Sequence, residues 1–317
     1  MAWTKLSLSL ACGEYDRTQA LLDGRVRADG LDLRLVPMSN AFERHARMLR
    51  DQAFDVCELS MSSYLMARQR GQALQAMPVF PYRMFRHGYI LVNRGAGIAG
   101  PRDLAGKRVG TPMYQTTTAL WVRGHMAHEW GVTPDQVTWC TEMPELVGFE
   151  APPGVVIEQV GSGELEPMLL AGALDALVLI EEIRPDLLAA RQVARLFPDY
   201  VAVEREFYTR TGIYPMMHAL VARAELLRAH PWVAASLRTA FEQAKQIALD
   251  RLRYPRTLSL AWAGAYREAE VQVFGPDPYV FGVHANRVAL EALVTYSHEQ
   301  GLTTRRFEVD DLFVPDE

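Results

Sequence analysis

The chain is short of cysteine, of charge of one sign and of long apolar runs, and each shortage removes a class of protein. Its three cysteines, Cys12, Cys57 and Cys140, are far apart and odd in number, which gives neither a disulfide framework nor the paired spacing of a zinc site. They read as reduced thiols. The formal net charge of -5 and pI near 5.9 argue against a basic surface for nucleic acid. No nucleic-acid partner is expected. No uncharged apolar stretch reaches the ~18 residues that cross a bilayer, and the alternating Leu6–Ala11 segment is too short and polar for the core of a secretion signal. The expectation is therefore no membrane partner and a cytoplasmic location.

Several catalytic signatures are missing too. His125 and His128 stand three apart on a helical stretch but lack the HExxH order of a zinc protease, so no metal site is assigned. The Gly95-Ala-Gly97 and Gly106-Lys-Arg108 strings are not phosphate loops, and no GxSxG elbow accompanies a serine.

What is present is apolar content of 49% over 317 residues, enough for two cores of ordinary domain size. An internal echo points the same way. Met48–Leu59 matches Met168–Leu179 without a gap, each reading as a helix end, a turn closing on Asp55 or Asp175, and a buried strand. Two such units predict two α/β lobes: 1–88 as the first part of lobe one, 89–207 as lobe two, and 208–317 returning to complete lobe one. In lobe one the spacing predicts strands at 6–11 and 31–36 and helices at 17–22 and 41–50, an alternation that suits a parallel sheet. In lobe two Thr116–Trp130 has helical spacing, with Thr116 or Thr117 as N-cap and Gly131 as stop. Helices near 230–251, 258–273 and 287–299 finish the chain.

Ligands of open α/β sheets collect beyond the carboxyl ends of strands. That rule nominates the Cys12–Asp16 loop with Tyr15, the Ser60–Tyr64 segment with Ser62, the Thr111–Thr118 segment with Thr116 and Thr117, and the end of the strand before Glu181. Hydroxyls at a helix start suit an anion, and they equally suit a helix cap. The crossover Phe80–Asn93 carries Arg83, Arg86 and His87, two guanidinium forks for carboxylates and an imidazole for proton transfer. A second crossover, Phe207–Arg223, adds Tyr214 and His218. Glu181 and the two histidines are the candidate acid–base groups.

The strings Phe80-Pro-Tyr-Arg-Met-Phe-Arg-His-Gly-Tyr-Ile90, Asp103-Leu-Ala-Gly-Lys-Arg-Val-Gly-Thr-Pro-Met-Tyr-Gln-Thr-Thr117, Trp121-Val-Arg-Gly124, Gly212-Ile-Tyr-Pro-Met-Met-His218 and Glu299-Gln-Gly-Leu302 resemble the 4,5-dihydroxyphthalate decarboxylase family. The resemblance spans most of the chain. It implies the two-lobed type 2 periplasmic-binding-protein fold, shared with ABC-transporter solute receptors, with a ligand cleft between the lobes. It also implies a small aromatic carboxylate as partner and loss of one carboxyl group as CO2. Such chemistry asks for a general acid over the ring carbon, a partner for the phenol and a cationic clamp for the retained carboxylate. His87, His218 and Glu181 are the expected catalytic groups. Arg83, Arg86, Tyr15, Ser62, Thr116, Thr117, Arg123 and Tyr214 are the expected substrate-binding groups. No cofactor is expected, because the ring hydroxyl serves as electron sink, although a catechol could also chelate a divalent metal. The alternatives are a non-catalytic receptor for an aromatic or dicarboxylic acid, or another carboxylate lyase. A homo-oligomer is compatible with either.

Overall fold

The computed structural model describes residues 4–180 and 182–315. The chain folds as two compact α/β units, one from 4–83, 216–290 and 307–315, the other from 84–215 and 291–306.

The first unit begins with β1 (Leu6–Cys12), α1 (Asp16–Leu22), β2 (Leu31–Pro37), α2 (Ala41–Asp51), β3 (Val56–Ser60), α3 (Met61–Gln69) and β4 (Leu74–Arg83). The second unit contains β5 (Ile90–Asn93), β6 (Arg108–Gly110), α4 (Thr117–Trp130), β7 (Thr138–Thr141), β8 (Val156–Gln159), α5 (Leu165–Ala171), β9 (Ala176–Val178), α6 (Pro185–Ala189), β10 (Val193–Arg195) and α7 (Tyr200–Thr211). The chain then supplies the first unit with β11 (Met216–Arg223), α8 (Ala224–Ala229), α9 (Trp232–Leu252) and α10 (Ala263–Phe274), and ends with α11 (Arg287–Glu299).

Sheet order is β2-β1-β3-β11-β4 in the first unit and β10-β5-β9-β6-β7-β8 in the second. Neither sheet is wholly parallel, which corrects the sequence expectation. β11 runs antiparallel to β3 and β4, and β5 runs antiparallel to β9 and β10. Neither strand is joined to a sheet neighbour by a βαβ crossover, so the handed connection that enforces parallel pairing does not apply.

The echo has a structural meaning. Asp55 accepts from the Ser9 amide at 2.8 Å, and Asp175 accepts from the Arg108 amide at 2.8 Å. Each aspartate thus ties the turn before a buried strand to the strand lying parallel beside it, β1 with β3 and β6 with β9.

The first core joins Leu8, Leu10, Val56, Val79 and Leu220 of the sheet to Leu237 and Phe241 of α9. Burial of each such side chain favours the fold by roughly 1.5–3 kcal/mol. The second core packs Leu91 and Leu177 against Leu165 and Leu169 of α5 and Leu187 of α6. The boundaries between units fall at 83/84 and 215/216, within both aromatic segments, and 291–306 belongs to the second unit rather than returning to the first. The reason lies at the end of α11, where Tyr296 packs on Trp121 and Gln300 bonds to Arg123. Among the described residues no helix is long and apolar enough to cross a membrane.

Candidate functional site

In the first unit β1 is flanked by β2 and β3, so the chain leaves β1 at the point where strand order reverses, the place where such sheets open a crevice. The loop after β1 and the end of β3 meet there around Glu58. An acid in the strand Val-Cys-Glu-Leu-Ser is unusual, and this one is fully buried. Its Oε2 accepts from the Gly13 amide at 2.6 Å. Its Oε1 accepts from the Tyr15 hydroxyl at 2.7 Å, faces His218 Nδ1 at 2.5 Å and lies 3.1 Å from the Arg44 guanidinium.

Strand register explains the histidine. His218 of β11 lies opposite Ser60 of β3, and Leu220 lies opposite Glu58, so His218 and Glu58 are diagonal neighbours on one face. Helix α2 explains the arginine. Its N-cap Asn40 accepts from the Glu43 amide, and its buried positions are Arg44, His45, Met48 and Leu49, an i, i+4 stripe that carries cation and imidazole toward β3.

Burial alone would raise the Glu58 carboxyl, but Arg44, then the hydrogen bond and charge of His218, then the Gly13 amide, reverse that and hold it well below the usual carboxylate range. Glu58 is an anion at all physiological pH. Against His218 Nδ1 it fixes the ring and compensates positive charge on it. His45 meets the His218 ring edge-on with centroids 4.8 Å apart, and burial keeps its own ring far below the ordinary histidine value, so it is neutral. Burial and the neighbouring Glu58 push the Tyr15 phenol up, so Tyr15 donates.

Gly13 is required by close approach. A Cβ there would stand 2.6 Å from the Tyr15 ring and hydroxyl, in the path the phenol takes to Glu58. Tyr82 completes the surround, 5.0 Å from the His218 ring and stacked on Tyr15 at 5.8 Å. Ser62 shares a hydrogen bond with Ser60, the residue paired with His218. Arg83 ends β4 one residue after Tyr82 and donates to Asn286 at 2.7 Å. Cys12 beside this cluster is buried and pushed up to about 12 by that burial, so it is a protonated thiol.

The remaining sequence candidates belong to the second unit. Thr116 caps α4, its hydroxyl accepting from the Ala119 amide at 3.1 Å, and Thr117 is buried behind it. Arg123 is fully buried, donating to Gln300 at 2.8 Å and to the Tyr114 carbonyl at 2.7 Å, with its guanidinium 3.6 Å from the Tyr114 ring centre. Arg86 donates to the Ile180 carbonyl at 3.1 Å. Tyr214 packs on Phe85. His87 is stacked on His125 at 5.1 Å among Phe197, Phe207 and Trp130, and burial lowers it to about 4. Its Nδ1 faces Glu204 Oε1 at 3.8 Å, and the burial that lowers its pKa favours the neutral ring. Glu181 lies outside the described residues.

Of the expected residues, the structure gathers Tyr15 and His218 on one carboxylate, with Ser62 linked through Ser60. Glu58, Arg44, His45 and Tyr82 were not read as functional from the sequence. A signal for Glu58 existed: in the internal echo it stands where the second copy has Val178. Among the described residues no group of three His, Cys, Asp or Glu side chains is arranged to hold a metal.

The profile of a family described as ABC transporter, phosphonate, periplasmic substrate-binding protein matches residues 15–236. A 4,5-dihydroxyphthalate decarboxylase of Comamonas testosteroni is 34% identical over 328 residues, covering 98% of this chain and 97% of its own length. One of Pseudomonas putida is 38% identical over 182 residues, 55% of this chain and 70% of its own. Among solved structures, the periplasmic aliphatic sulphonate binding protein SsuA of Escherichia coli superposes with a TM-score of 0.61 at 12% identity, covering 97% of each chain. That likeness shows the solute-receptor fold, two mixed α/β sheets with helices, while the full-length identity fixes the family. The chain belongs to the 4,5-dihydroxyphthalate decarboxylases, carboxy-lyases built on a periplasmic-binding-protein-like fold.

Proposed function

We propose that the chain removes one carboxyl group from a hydroxylated aromatic dicarboxylate, 4,5-dihydroxyphthalate, to give protocatechuate and CO2, with His218 as proton donor. The observation that carries this reading is the Glu58–His218 pair: a buried carboxylate, its pKa held low by Arg44 and His218, on Nδ1 of a histidine at the carboxyl end of the parallel strands β1 and β3. A proton delivered from Nε2 to the ipso carbon forms the C–H bond, and the hydroxyl para to that carbon stabilises the cationic ring as a dienone. The C–C bond to the carboxylate then breaks, its electron pair restores the aromatic ring, and CO2 leaves. The ring hydroxyl is the electron sink, so the route asks for no cofactor. Tyr15 and Tyr82 supply aromatic surface beside the histidine, and Arg83 is the carboxylate clamp in this unit.

The test is incubation with 4,5-dihydroxyphthalate, following CO2 and protocatechuate, with and without chelator. His218→Gln is expected to lose about 10²–10⁴ in kcat while retaining most substrate affinity. Undiminished turnover in that variant would move the proton donor elsewhere, to Glu181 or Tyr214. The likeness to the phosphonate-receptor family and to SsuA favours one second reading, a receptor for such an acid. Tight ligand binding by the wild-type chain without CO2 release would select it.

A further inference from the structure

The first unit holds a guanidinium near the Glu58–His218 pair that the reaction as described does not use. Arg17 follows Tyr15 by two positions, at the start of α1. Its Nε donates to the Pro81 carbonyl at 2.6 Å, and its central carbon lies 4.3 Å from the centre of the Tyr15 ring and 4.3 Å from that of Tyr279. Both tyrosines are themselves held. Tyr15 donates its hydroxyl to Glu58 at 2.7 Å. The Tyr279 amide donates to Asp277 at 2.7 Å, and the Tyr279 carbonyl accepts from the buried Lys245 ammonium at 3.0 Å. The guanidinium is therefore fixed before any ligand arrives, which spares the ordering cost that a long side chain otherwise carries on binding. Its anchors also lie next to the imidazole. Tyr82, the residue after Pro81, has its ring 5.0 Å from His218, and the Tyr15 hydroxyl shares Glu58 Oε1 with His218.

The outer edge of this guanidinium remains for a ligand. Among the described residues Nη2 has no hydrogen-bond partner, and Nη1 reaches only Asp16 Oδ1 at 3.3 Å, on a side chain 64% exposed. Water screens such a pair, so an incoming carboxylate can take its place. We infer that Arg17 is a second substrate-binding cation beside Arg83, taking through its Nη edge the carboxylate that the ring keeps. The inference rests on the decarboxylase reading above and extends it. Arg83 and Arg17 are fastened to one segment of chain, since Asn286, which accepts from Arg83, donates to the Val280 and Gly282 carbonyls beside Tyr279. Charge decides which carboxylate is bound. The group that leaves becomes neutral CO2, so a cation on it would stabilise the ground state and lose that stabilisation in the transition state. The retained carboxylate keeps its charge throughout, and a planar fork on it binds and orients the ring without opposing the reaction.

The experiment measures binding apart from turnover, in the full chain. Protocatechuate, the product that carries the retained carboxylate alone, is titrated calorimetrically beside its uncharged carboxamide. The wild-type chain is expected to prefer the acid. Arg17→Gln is expected to bind the acid about 30-fold more weakly while the amide changes by less than about threefold. KM for 4,5-dihydroxyphthalate should rise by the same factor as the dissociation constant of the acid, the loss falling on KM rather than kcat. Asp16→Asn probes the same edge without touching the guanidinium. It is expected to tighten the acid about threefold with Arg17 present and not in the Arg17→Gln background. Because Asp16 is exposed, that single variant keeps the test decisive if Arg17→Gln fails to fold. Equal weakening of acid and amide marks a packing role and overturns the inference. Acid affinity untouched by Arg17→Gln overturns it too, and if KM alone rises the cation sits on the leaving carboxylate instead. A wild-type chain without preference for the acid, or Asp16→Asn without tightening, overturns it as well. If the acid preference depends on Arg17 but 4,5-dihydroxyphthalate yields no CO2, the decarboxylase reading fails and Arg17 stands as the carboxylate-binding residue of a receptor.

Discussion

At the scale of single residues, a fully buried glutamate and a partly buried one show how surroundings decide opposite behaviour. Glu58 is held below the ordinary carboxylate range by Arg44 and His218. A carboxyl depressed in the folded state contributes stability that is fully present above its unfolded value and is lost as pH falls below it. Glu58→Gln is expected to cost about 3–5 kcal/mol near pH 7, because Arg44 stays buried without its counter-ion. That gap should narrow as pH falls below the ordinary carboxylate value, and urea unfolding at pH 7 and pH 4 measures it. Glu204 is the reverse case. Burial, only partly offset by the Gly88 and His87 amides, raises it to about 7. A raised carboxyl contributes stability present below its unfolded value and lost as pH rises through the folded one. Between pH 4.5 and 7 the wild-type chain should therefore lose up to roughly 3 kcal/mol from this group. Glu204→Gln should flatten that decline, and a flat wild-type profile would count against the assignment.

At the scale of elements, helix α4 shows how tightly one helix is seated. Its start was legible, since Thr116 is an N-cap type at the head of a helical pattern and Gly131 follows the last apolar turn; the structure has the Thr116 cap and a left-handed Gly131. What the pattern could not tell is that residues 117 to 126 are all buried, so these first turns have no solvent face to give them a period. Gly124 lies where Tyr296 of α11 crosses closest, and an added Cβ would stand 2.0 Å from the ring. Gly124→Ala is therefore expected to destabilise the chain by about 1–3 kcal/mol despite the better helix propensity of alanine. A thermal midpoint at or above the wild-type value would show that the ring moves aside freely.

At the scale of the whole molecule, α11 and the residues after it are divided between the two units, and the second unit depends on them. Gln300 accepts from Arg123 and donates to the Leu120 carbonyl at 2.9 Å. Arg123 has no carboxylate hydrogen-bonded to it among the contacts described, and burial lowers its pKa. Gln300→Leu removes an acceptor from a fully buried cation and is expected to destabilise the chain by about 2–4 kcal/mol. Unfolding monitored through the six tryptophans would register the change.

By itself the sequence determined the things that repeat or are local. Alternating apolar strands, helix caps and stops, and the doubled turn closing on Asp55 and Asp175 specify two α/β units, because period, capping chemistry and turn residues act within a few positions of the chain. The family strings were legible for the same reason. The tertiary structure decided the candidate site. Whether Arg86, His87 and Arg123 serve a ligand or a core depends on what lies around them: burial favours the neutral ring of His87 and makes Arg123 a buried hydrogen-bond hub. Glu58 became the centre only because β1, β3, β11 and α2 bring Gly13, Tyr15, Arg44 and His218 to one carboxylate across 45, 43, 14 and 160 residues of chain. Electrostatic partnership of that kind is set by distance in space, which spacing along the chain does not encode.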